Sequence, residues 1–548
     1  MVAILRVPGA RLRAAGGTIE RLRPVYVLST LTVLAWAGTL SIALSATHNG
    51  WLYYTGGDAT YYWSAAYGFV HGWVAAPAIS YGLPVLLWPV AAAAGANLLV
   101  GLPAIVLLQV AVLTPLLLVA LYGIGSYFGG RLLGYIAAAG WVVAPFLALE
   151  YFERGFREDV HDLVVPNAVG LTLLGDFASL VAVTVAAALL LRTFERPGWN
   201  DVLLAGLVSG FAIGIKPSNT IFLAAPVLAL VVARRWRQLP AFLAALLPAV
   251  IALTIWKRTG IGSIPVLSLG EVRSAAGPAF AAPPVAAVGD YLPFDWATFH
   301  DNLLELREVG WSVLLLEWAA VVGALALIRR APAAGVLVAT WFFSYVLLKG
   351  GAEGRAGVMQ TSFFRLIEPA FPAFVLLVAG LVFLVPTRGR RRAGPVAAAP
   401  WPERPSRALA ATAVVLALYP LVLVAAASAA PRDRFVHDEA HNQAVPVDAA
   451  LDLRVSRQAG GVRLDWRAAA AGAGRVAYRV YRSPGPGCDH HSAGVQDCLL
   501  RMAQVATVRG TTWTDTTAKR WTYRVAAVAD QRPQHVGGDL VVVSRAVR

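Results

Sequence analysis

Long apolar runs, several of them close to 20 residues, constrain this chain more than any other feature of its sequence. A helix of about 20 apolar residues crosses the hydrocarbon core of a bilayer. Only 14% of the 548 residues are charged, whereas about 25% are charged in soluble domains. Because each backbone polar group in lipid needs a partner within its own segment, such runs fold as helices. The sequence therefore predicts a polytopic α-helical membrane protein.

Short basic segments between the apolar runs predict its orientation, because Lys and Arg favour cytoplasmic loops. Five arginines within residues 1–25 place the N-terminus in the cytoplasm, and residues 48–102, without Lys or Arg, fit the outer side. This pattern also explains the net charge of +15, so we expect no nucleic acid as a partner. We predict about 11 spans, at about 26–47, 103–126, 132–150, 176–194, two short helices broken at Lys216-Pro217, then 239–256, 310–328, 332–348, 366–386 and 408–430.

The tail of the chain has a different pattern. Alternating segments such as "VRLDWRA", "VAYRVYRS" and "WTYRVAAVA" predict β-strands. With Trp466, Tyr478 and Tyr523 at their positions, the tail resembles a fibronectin type III sandwich, an all-β fold. We predict a membrane domain over 1–430, a linker over 431–445 and this domain over 446–548. Eleven spans that start inside end outside, so the domain is expected to be extracytoplasmic.

Two cysteines, Cys488 and Cys498, enclose the segment "DHHSAGVQD" in this tail. An oxidising exterior would allow them to form a disulfide. The alternative is a metal site that includes His490 and His491.

A single acid stands in an aromatic stretch directly after the first span. "TGGDATYYWSAAYGFVHG", residues 55–72, contains Asp58 and no Lys or Arg. One interpretation is an interfacial aromatic belt with a solvated acid, since Trp and Tyr favour the headgroup level. The other is a ligand site, because Gly56-Gly57 allow close backbone approach and aromatic faces beside a carboxylate commonly hold sugar rings.

This stretch, with "YGLPVLLWP" after it, resembles the first outer loop of the GT-C type glycosyltransferases, such as the protein mannosyltransferases and aminoarabinose transferases. The segments "GIKPSNTIFL" and "SFFRLIEPAFPAFVLL" resemble that family's helix pair around an outer Lys and its late helix with a Pro-rich entry. The resemblance covers about residues 1–390 and depends on the order and sidedness of these segments. It implies a polyprenyl-phosphate sugar as the donor.

The chemistry of such a transferase can be assigned to residues of this chain. Inverting transfer needs a base for the acceptor hydroxyl, and Asp58 is the candidate, with Tyr61, Tyr62 and Trp63 as sugar-binding residues. The phosphate of the donor needs positive charge; the candidates are Lys216, Arg355 and Arg365. Each of these three cations has the alternative role of an interfacial anchor whose charged end reaches the headgroups.

Acids crowd the second outer loop, "EYFERGFREDVHDLVVPNAVG". Oxygen ligands with one His could hold a divalent cation, Mg²⁺ or Mn²⁺; the candidate ligands are Glu158, Asp159, His161 and Asp162. The alternative is a solvated segment whose acids pair with Arg154 and Arg157.

The expected function is therefore transfer of a hexosyl or pentosyl unit from a polyprenyl-phosphate carrier to a cell-envelope glycan, lipid or protein at the outer face of the plasma membrane. The sequence contains no phosphate-binding P-loop, which fits a lipid-linked donor better than a nucleotide sugar. Two alternatives remain. One is a transporter or flippase of envelope lipids, and the other is a non-enzymatic envelope scaffold with the β domain as its working part.

Overall fold

The structure is a computed structural model. It describes residues 21–45, 58–70, 80–95, 98–151, 164–195, 198–258, 294–309, 313–351, 365–384, 411, 414–415, 418–422, 435–438, 443–446, 451–469, 475–484, 502–517, 519–530 and 539–548.

Most of the described residues before 430 are helical. The α-helices are α1 (Pro24–Ser45), α2 (Asp58–Val70), α3 (Gly82–Ala94), α4 (Leu98–Leu107), α5 (Thr114–Tyr151), α6 (Val165–Ala168), α7 (Gly175–Glu195), α8 (Trp199–Ile215), α9 (Ala224–Val232), α10 (Gln238–Ala244), α11 (Leu247–Arg258), α12 (Trp296–Val309), α13 (Val313–Arg330), α14 (Pro332–Gly350) and α15 (Phe371–Gly380). A π-helical segment, Leu108–Leu113, joins α4 to α5, and 3₁₀ turns occupy Pro217–Leu223, Glu368–Ala370 and Leu381–Leu384.

Five stretches among the described residues are long and apolar enough to cross a membrane: Pro24–Ala43, Val100–Leu147, Gly175–Glu195, Pro332–Gly350 and Arg365–Leu384. Shorter apolar helices cover Gly82–Ala94, Trp199–Ile215, Pro217–Val232 and Gln238–Leu253. The chain is thus mostly helical with several membrane-length helices, as the sequence predicts, and a membrane-associated protein follows. The count of eleven spans stays a prediction.

The longest stretch bends back on itself. Gly129 and Gly130 have non-helical backbone angles, and Gly130 lies in the left-handed region with a φ of 75°, which glycine adopts without steric cost. The two halves of α5 then pack together, with the rings of Tyr122 and Tyr135 stacked at 5.2 Å between centroids. The break lies next to Arg131, where the sequence predicts a cytoplasmic turn between two spans.

Helix α7 is the centre of the helical region. All residues from Gly175 to Thr193 are buried, and α7 packs against α5 and α8. Small residues bring other helices close: a Cβ on Gly323 of α13 would lie 2.0 Å from the Leu377 carbonyl oxygen of α15. Close backbone approach at glycine is typical of helix packing in membranes.

Helix ends that the sequence predicts to be cytoplasmic meet at one end of the bundle. The Tyr135 hydroxyl donates to the Leu22 carbonyl at 2.9 Å, and Arg330 Nε donates to the Phe128 carbonyl at 3.2 Å. Ends predicted to be extracytoplasmic also meet: Asn302 of α12 donates to the Gly350 carbonyl at the end of α14, at 2.7 Å. The side of the membrane that each of these two ends faces stays a prediction.

The C-terminal region is a small β region, as the sequence predicts. The strands are β1 (Phe435–Asp438), β2 (Gln443–Pro446), β3 (Arg454–Gln458), β4 (Gly461–Asp465), β5 (Arg475–Ser483), β6 (Ala503–Val508), β7 (Thr512–Asp515), β8 (Thr522–Asp530) and β9 (Asp539–Val543). β1 and β2 pair with each other, and two further sheets have the orders β3-β4-β7 and β6-β5-β8-β9, with every pair antiparallel.

The two larger sheets share one core, which we call the β core. Trp466, Tyr478 and Tyr523 are buried in it, and the rings of Trp466 and Tyr478 lie 5.6 Å apart. The buried apolar residues of the described helices form a second cluster, the helical core, which extends from Leu28 to Leu377. The candidate site lies beside it.

Candidate functional site

Asp176 is an acid at the first turn of the buried helix α7. Only 1% of the residue is exposed. A carboxylate at this position is favoured by the unpaired N–H groups and the positive dipole end of the helix, but a buried charge also needs a partner of opposite sign. The chain supplies two such partners from distant segments.

Lys216 is the first partner. It follows the last residue of α8 in an extended conformation, and Pro217 begins the next turn. Helix α8 therefore ends directly before Lys216. Its Nζ donates to Oδ1 of Asp176 and, at 3.0 Å, to the backbone carbonyl of Arg365.

Arg365 is the second partner and the first residue of the apolar stretch that ends at Leu384. Its Nε and Nη2 each lie 3.3 Å from Oδ2 of Asp176. Asp176, Lys216 and Arg365 therefore form one group, which we call the cation cluster. It joins the ends of three helices, and two of its members are cations that the sequence singles out.

The backbone that carries Lys216 is fixed from two sides. Asn219 Nδ2 donates back to the Ala212 carbonyl of α8 at 2.8 Å. The hydroxyl of Tyr345, on α14, donates to Asn219 Oδ1 at 2.7 Å. A cation held by packed, hydrogen-bonded neighbours loses little conformational entropy when it binds an anion.

A second polar group, which we call the polar chain, lies deeper in the bundle. It consists of Gln109, Thr172, Asn167 and Glu368, each no more than 1% exposed. Gln109 Nε2 donates to the Thr172 carbonyl at 3.0 Å, the Thr172 hydroxyl donates to Asn167 Oδ1, and Asn167 Nδ2 donates to Glu368 Oε2.

The turn of Glu368 packs against α7, so the polar chain adjoins the cation cluster. Among the described residues, Glu368 Oε1 and Gln109 Oε1 have no hydrogen-bond partner. Gln109 lies in the π-helical segment, and such segments are frequent at functional sites.

The aromatic helix α2 reaches the same place. A Cβ on Gly175 would lie 3.0 Å from the Tyr62 hydroxyl, so this hydroxyl adjoins the residue before Asp176. Asp58 is the first residue of α2, four residues before Tyr62, and positions four apart share one face of a helix. Helix α2 therefore brings the position of the predicted base towards the cation cluster.

Two of the three predicted sugar-binding aromatics are buried. Tyr62 and Trp63 are 8% and 1% exposed, and Trp63 packs closely on Gly101 of α4. Tyr61 lies between Asp58 and these two on α2. Contact of these three residues with sugar stays a prediction.

Several predicted site residues lie outside the described residues: Arg355, the four acidic-loop candidates Glu158, Asp159, His161 and Asp162, both Cys488 and Cys498, and His490 and His491. Within the described part of the chain, no group of three or more His, Cys, Asp or Glu side chains is placed to hold a metal ion.

Sequence reasoning missed Asp176, Glu368 and the amides of the polar chain. A signal for Asp176 was present, since it is a lone acid in front of 15 uncharged residues of an apolar span, and intramembrane acids are expensive unless they have a function or a partner. Glu368 stands in a similar position, in "RLIEPAF".

A comparison of the chain with protein-family models, with curated proteins and with solved structures finds no match.

Proposed function

We propose that this chain is an inverting membrane glycosyltransferase of the GT-C type, which transfers a monosaccharide from a polyprenyl-phosphate carrier to a cell-envelope acceptor. One observation supports the proposal above the others. Lys216 and Arg365, two cations assigned to the donor phosphate from the sequence, lie 149 residues apart in the chain and meet on Asp176.

The exposure of the three side chains fits a phosphate site. Side chains of Lys216 and Arg365 are 17% and 25% exposed, whereas that of Asp176 is 2% exposed. The acid thus lies beneath the two cations and aligns them, and both cations keep a solvent-exposed part. An arginine and a lysine fixed in this way can stabilise the negative charge that grows on the leaving phosphate.

The reaction then needs one proton transfer. The acceptor hydroxyl oxygen attacks the anomeric carbon of the donor sugar, and the bond from that carbon to the phosphate oxygen breaks. The electron pair leaves with the polyprenyl phosphate, next to Lys216 and Arg365. Asp58 takes the acceptor's hydroxyl proton.

The proposed Mg²⁺ or Mn²⁺ ligands lie outside the described residues, so in this proposal the two cations of the chain provide the phosphate binding. A divalent ion held by the acidic loop would add positive charge at the same leaving group.

The proposed location is the plasma membrane, with the cation cluster and the C-terminal domain on the extracytoplasmic face. The strand orders of the two larger sheets support a fibronectin type III-like domain, and so does the buried Tyr523 near its corner, whose hydroxyl donates to Asp515 at 3.0 Å. We propose that this domain faces the envelope acceptor.

A transporter or flippase is the second candidate, and one observation favours it. Buried ionisable residues within apolar helices commonly mark transport pathways, and Asp176 and Glu368 are such residues. However, Asp176, Lys216 and Arg365 all stand at helix ends and not at mid-span, which supports chemistry at a membrane surface. A scaffold would need no such convergence of charges.

Asp58→Asn is the experiment that tests the proposal. The change retains the size of the side chain and removes its basicity, so transfer from a polyprenyl-phosphate sugar to a membrane acceptor should fall about 10²- to 10⁴-fold. Transfer is measured at equal expression in membranes.

Asp301→Asn is the matched control, because Asp301 has an 81% exposed side chain on α12; it should leave transfer unchanged. Asp58→Asn activity within about twofold of the wild type would remove Asp58 from the mechanism. Transport of the lipid without transfer would favour the second candidate.

A further inference from the structure

Two side chains connect the helical core to the β core. Tyr67 of α2 and Val476 of β5 are partly buried, and each packs against both cores. The helix that begins with Asp58 therefore contacts the C-terminal domain as well as the candidate site.

The hairpin that precedes the C-terminal domain adds to this contact. β2 lies alongside α2 and also alongside β9. In the register of the hairpin, Phe435 pairs with Pro446, so β1 and β2 form one hairpin, of which β2 lies against α2. Helix α2 thus has the C-terminal region on one side.

The opposite side of α2 faces the cation cluster. Tyr62 and Tyr67 are five residues apart, which turns their positions by about 140° around the helix axis. Tyr62 adjoins Gly175, whereas Tyr67 adjoins the β core. Asp58 shares the face of Tyr62 by helical spacing. Helix α2 therefore lies between the candidate site and the C-terminal domain.

We propose that Tyr67 is a positioning residue, through which the C-terminal domain sets the place of Asp58 relative to the phosphate-binding cations. The inference rests on the proposed function. Lys216 and Arg365 are held by Asp176, Asn219 and their own helices, so donor binding does not depend on this contact. The transfer step does, because a displacement of about 1 Å at a reacting group costs about 10²-fold in rate.

The test uses the full chain in lipid nanodiscs with four variants: Tyr67→Ala, Tyr67→Phe, Val476→Ala and Val508→Ala. Val508→Ala is the matched control for Val476→Ala, because it removes the same atoms from the β core on β6. The first measurement is hydrogen exchange of the α2 amides, which needs no activity. The second is the kcat of transfer and the KM for the polyprenyl-phosphate sugar.

We expect faster exchange in α2 for Tyr67→Ala and Val476→Ala, with wild-type exchange for Val508→Ala. The kcat of Tyr67→Ala should fall about 10- to 100-fold with an unchanged donor KM, and Tyr67→Phe, which keeps the ring, should retain more of the kcat than Tyr67→Ala.

Unchanged exchange in α2 for Tyr67→Ala would overturn the proposal, because the contact would then not hold the helix. Faster exchange with a wild-type kcat would overturn the positioning role. If the wild type itself transfers no sugar, the proposed function fails, and the exchange data alone then decide whether the C-terminal domain fixes α2.

Discussion

Two buried aspartates, one in each region of the molecule, are paired with cations in different ways. Asp515 of the β domain is 2% exposed, and all of its partners come from that domain, within 33 residues in the chain. Arg482 Nη1 lies 2.7 Å and the Tyr523 hydroxyl 3.0 Å from its Oδ2, while the backbone and hydroxyl of Thr517 donate to Oδ1. Arg482 also stacks on the Trp521 ring. Both carboxylate oxygens are satisfied within one domain.

Asp176 draws its partners from two other helical segments, 40 and 189 residues away in the chain. Next to it, Glu368 Oε1 lacks a hydrogen-bond partner among the described residues. The comparison teaches that burial of an acid with an arginine is not in itself a sign of function. Both oxygens of Asp515 have partners within one domain. The cation cluster instead gathers residues from separate helices that nothing in local folding requires to meet.

We expect the largest effect on stability when the pair of Asp515 and Arg482 is broken. Asp515→Asn removes the charge opposite Arg482, and breaking a buried pair costs about 3–5 kcal/mol. Because the Arg482 side chain is 24% exposed, we expect the lower end, about 3 kcal/mol. The free energy of opening is measured from hydrogen exchange of the β5 and β8 amides. A change below about 0.5 kcal/mol, typical of surface substitutions, would mean that the two aspartates do not differ as described.

A smaller effect is expected where a hydrogen bond supports the cation cluster. Tyr345→Phe removes the bond to Asn219, which is worth about 0.6–1 kcal/mol between helices in a membrane. Exchange of the amides over Pro217–Leu223 should become faster. Tyr135→Phe is the control, since it removes a similar bond at the opposite end of the bundle and should not affect these amides. Equal effects of both variants would show general loosening instead of local support.

The smallest effect is the pH dependence of the stability that Asp515 gives to the β domain. Burial acts to raise the pKa of Asp515, but hydrogen bonds from Arg482, Thr517 and Tyr523 outweigh it, so this pKa lies below the ordinary aspartate value. The resulting stability is complete above the unfolded pKa of about 3.9 and is lost as the pH falls through the lower folded pKa.

The opening free energy of the β domain should therefore decline below about pH 4, with a shallower decline in Asp515→Asn. A remaining slope is expected because hydrogen bonding to Arg454 also lowers the pKa of Asp452. An identical pH dependence in both proteins would exclude Asp515 as a source of the acid sensitivity.

Part of this architecture follows from sequence patterns because those patterns are local. Apolar length and loop charge predict α1, α7 and α14 within a few residues, and alternation predicts β4, β5 and β8. The two helices α2 and α3 within residues 48–102 were not predicted, since α3 contains Pro89 in its interior and neither has a clear polar face.

The same distinction between local and long-range information applies to the residues of the site. Lys216 and Arg365 could be found because cations in outer loops are visible in the sequence. Asp176 could not be joined to them, because its role depends on three helix ends that meet only after folding. Between the predicted spans 132–150 and 176–194, Asn167 and Thr172 are fully buried, which the sequence did not predict.

The central claim is that Lys216 and Arg365 bind the phosphate of a lipid-linked donor. Its most direct test is the binding of polyprenyl phosphate to the full chain in nanodiscs, with wild type, Lys216→Gln and Arg329→Gln compared at equal folding. Arg329 is the control cation, exposed at the opposite end of the bundle on α13. A hydrogen bond to a charged group is worth about 1.5–3 kcal/mol, so Lys216→Gln should weaken binding about 10- to 100-fold, while Arg329→Gln binds like the wild type. Equal affinity of all three proteins would contradict the claim.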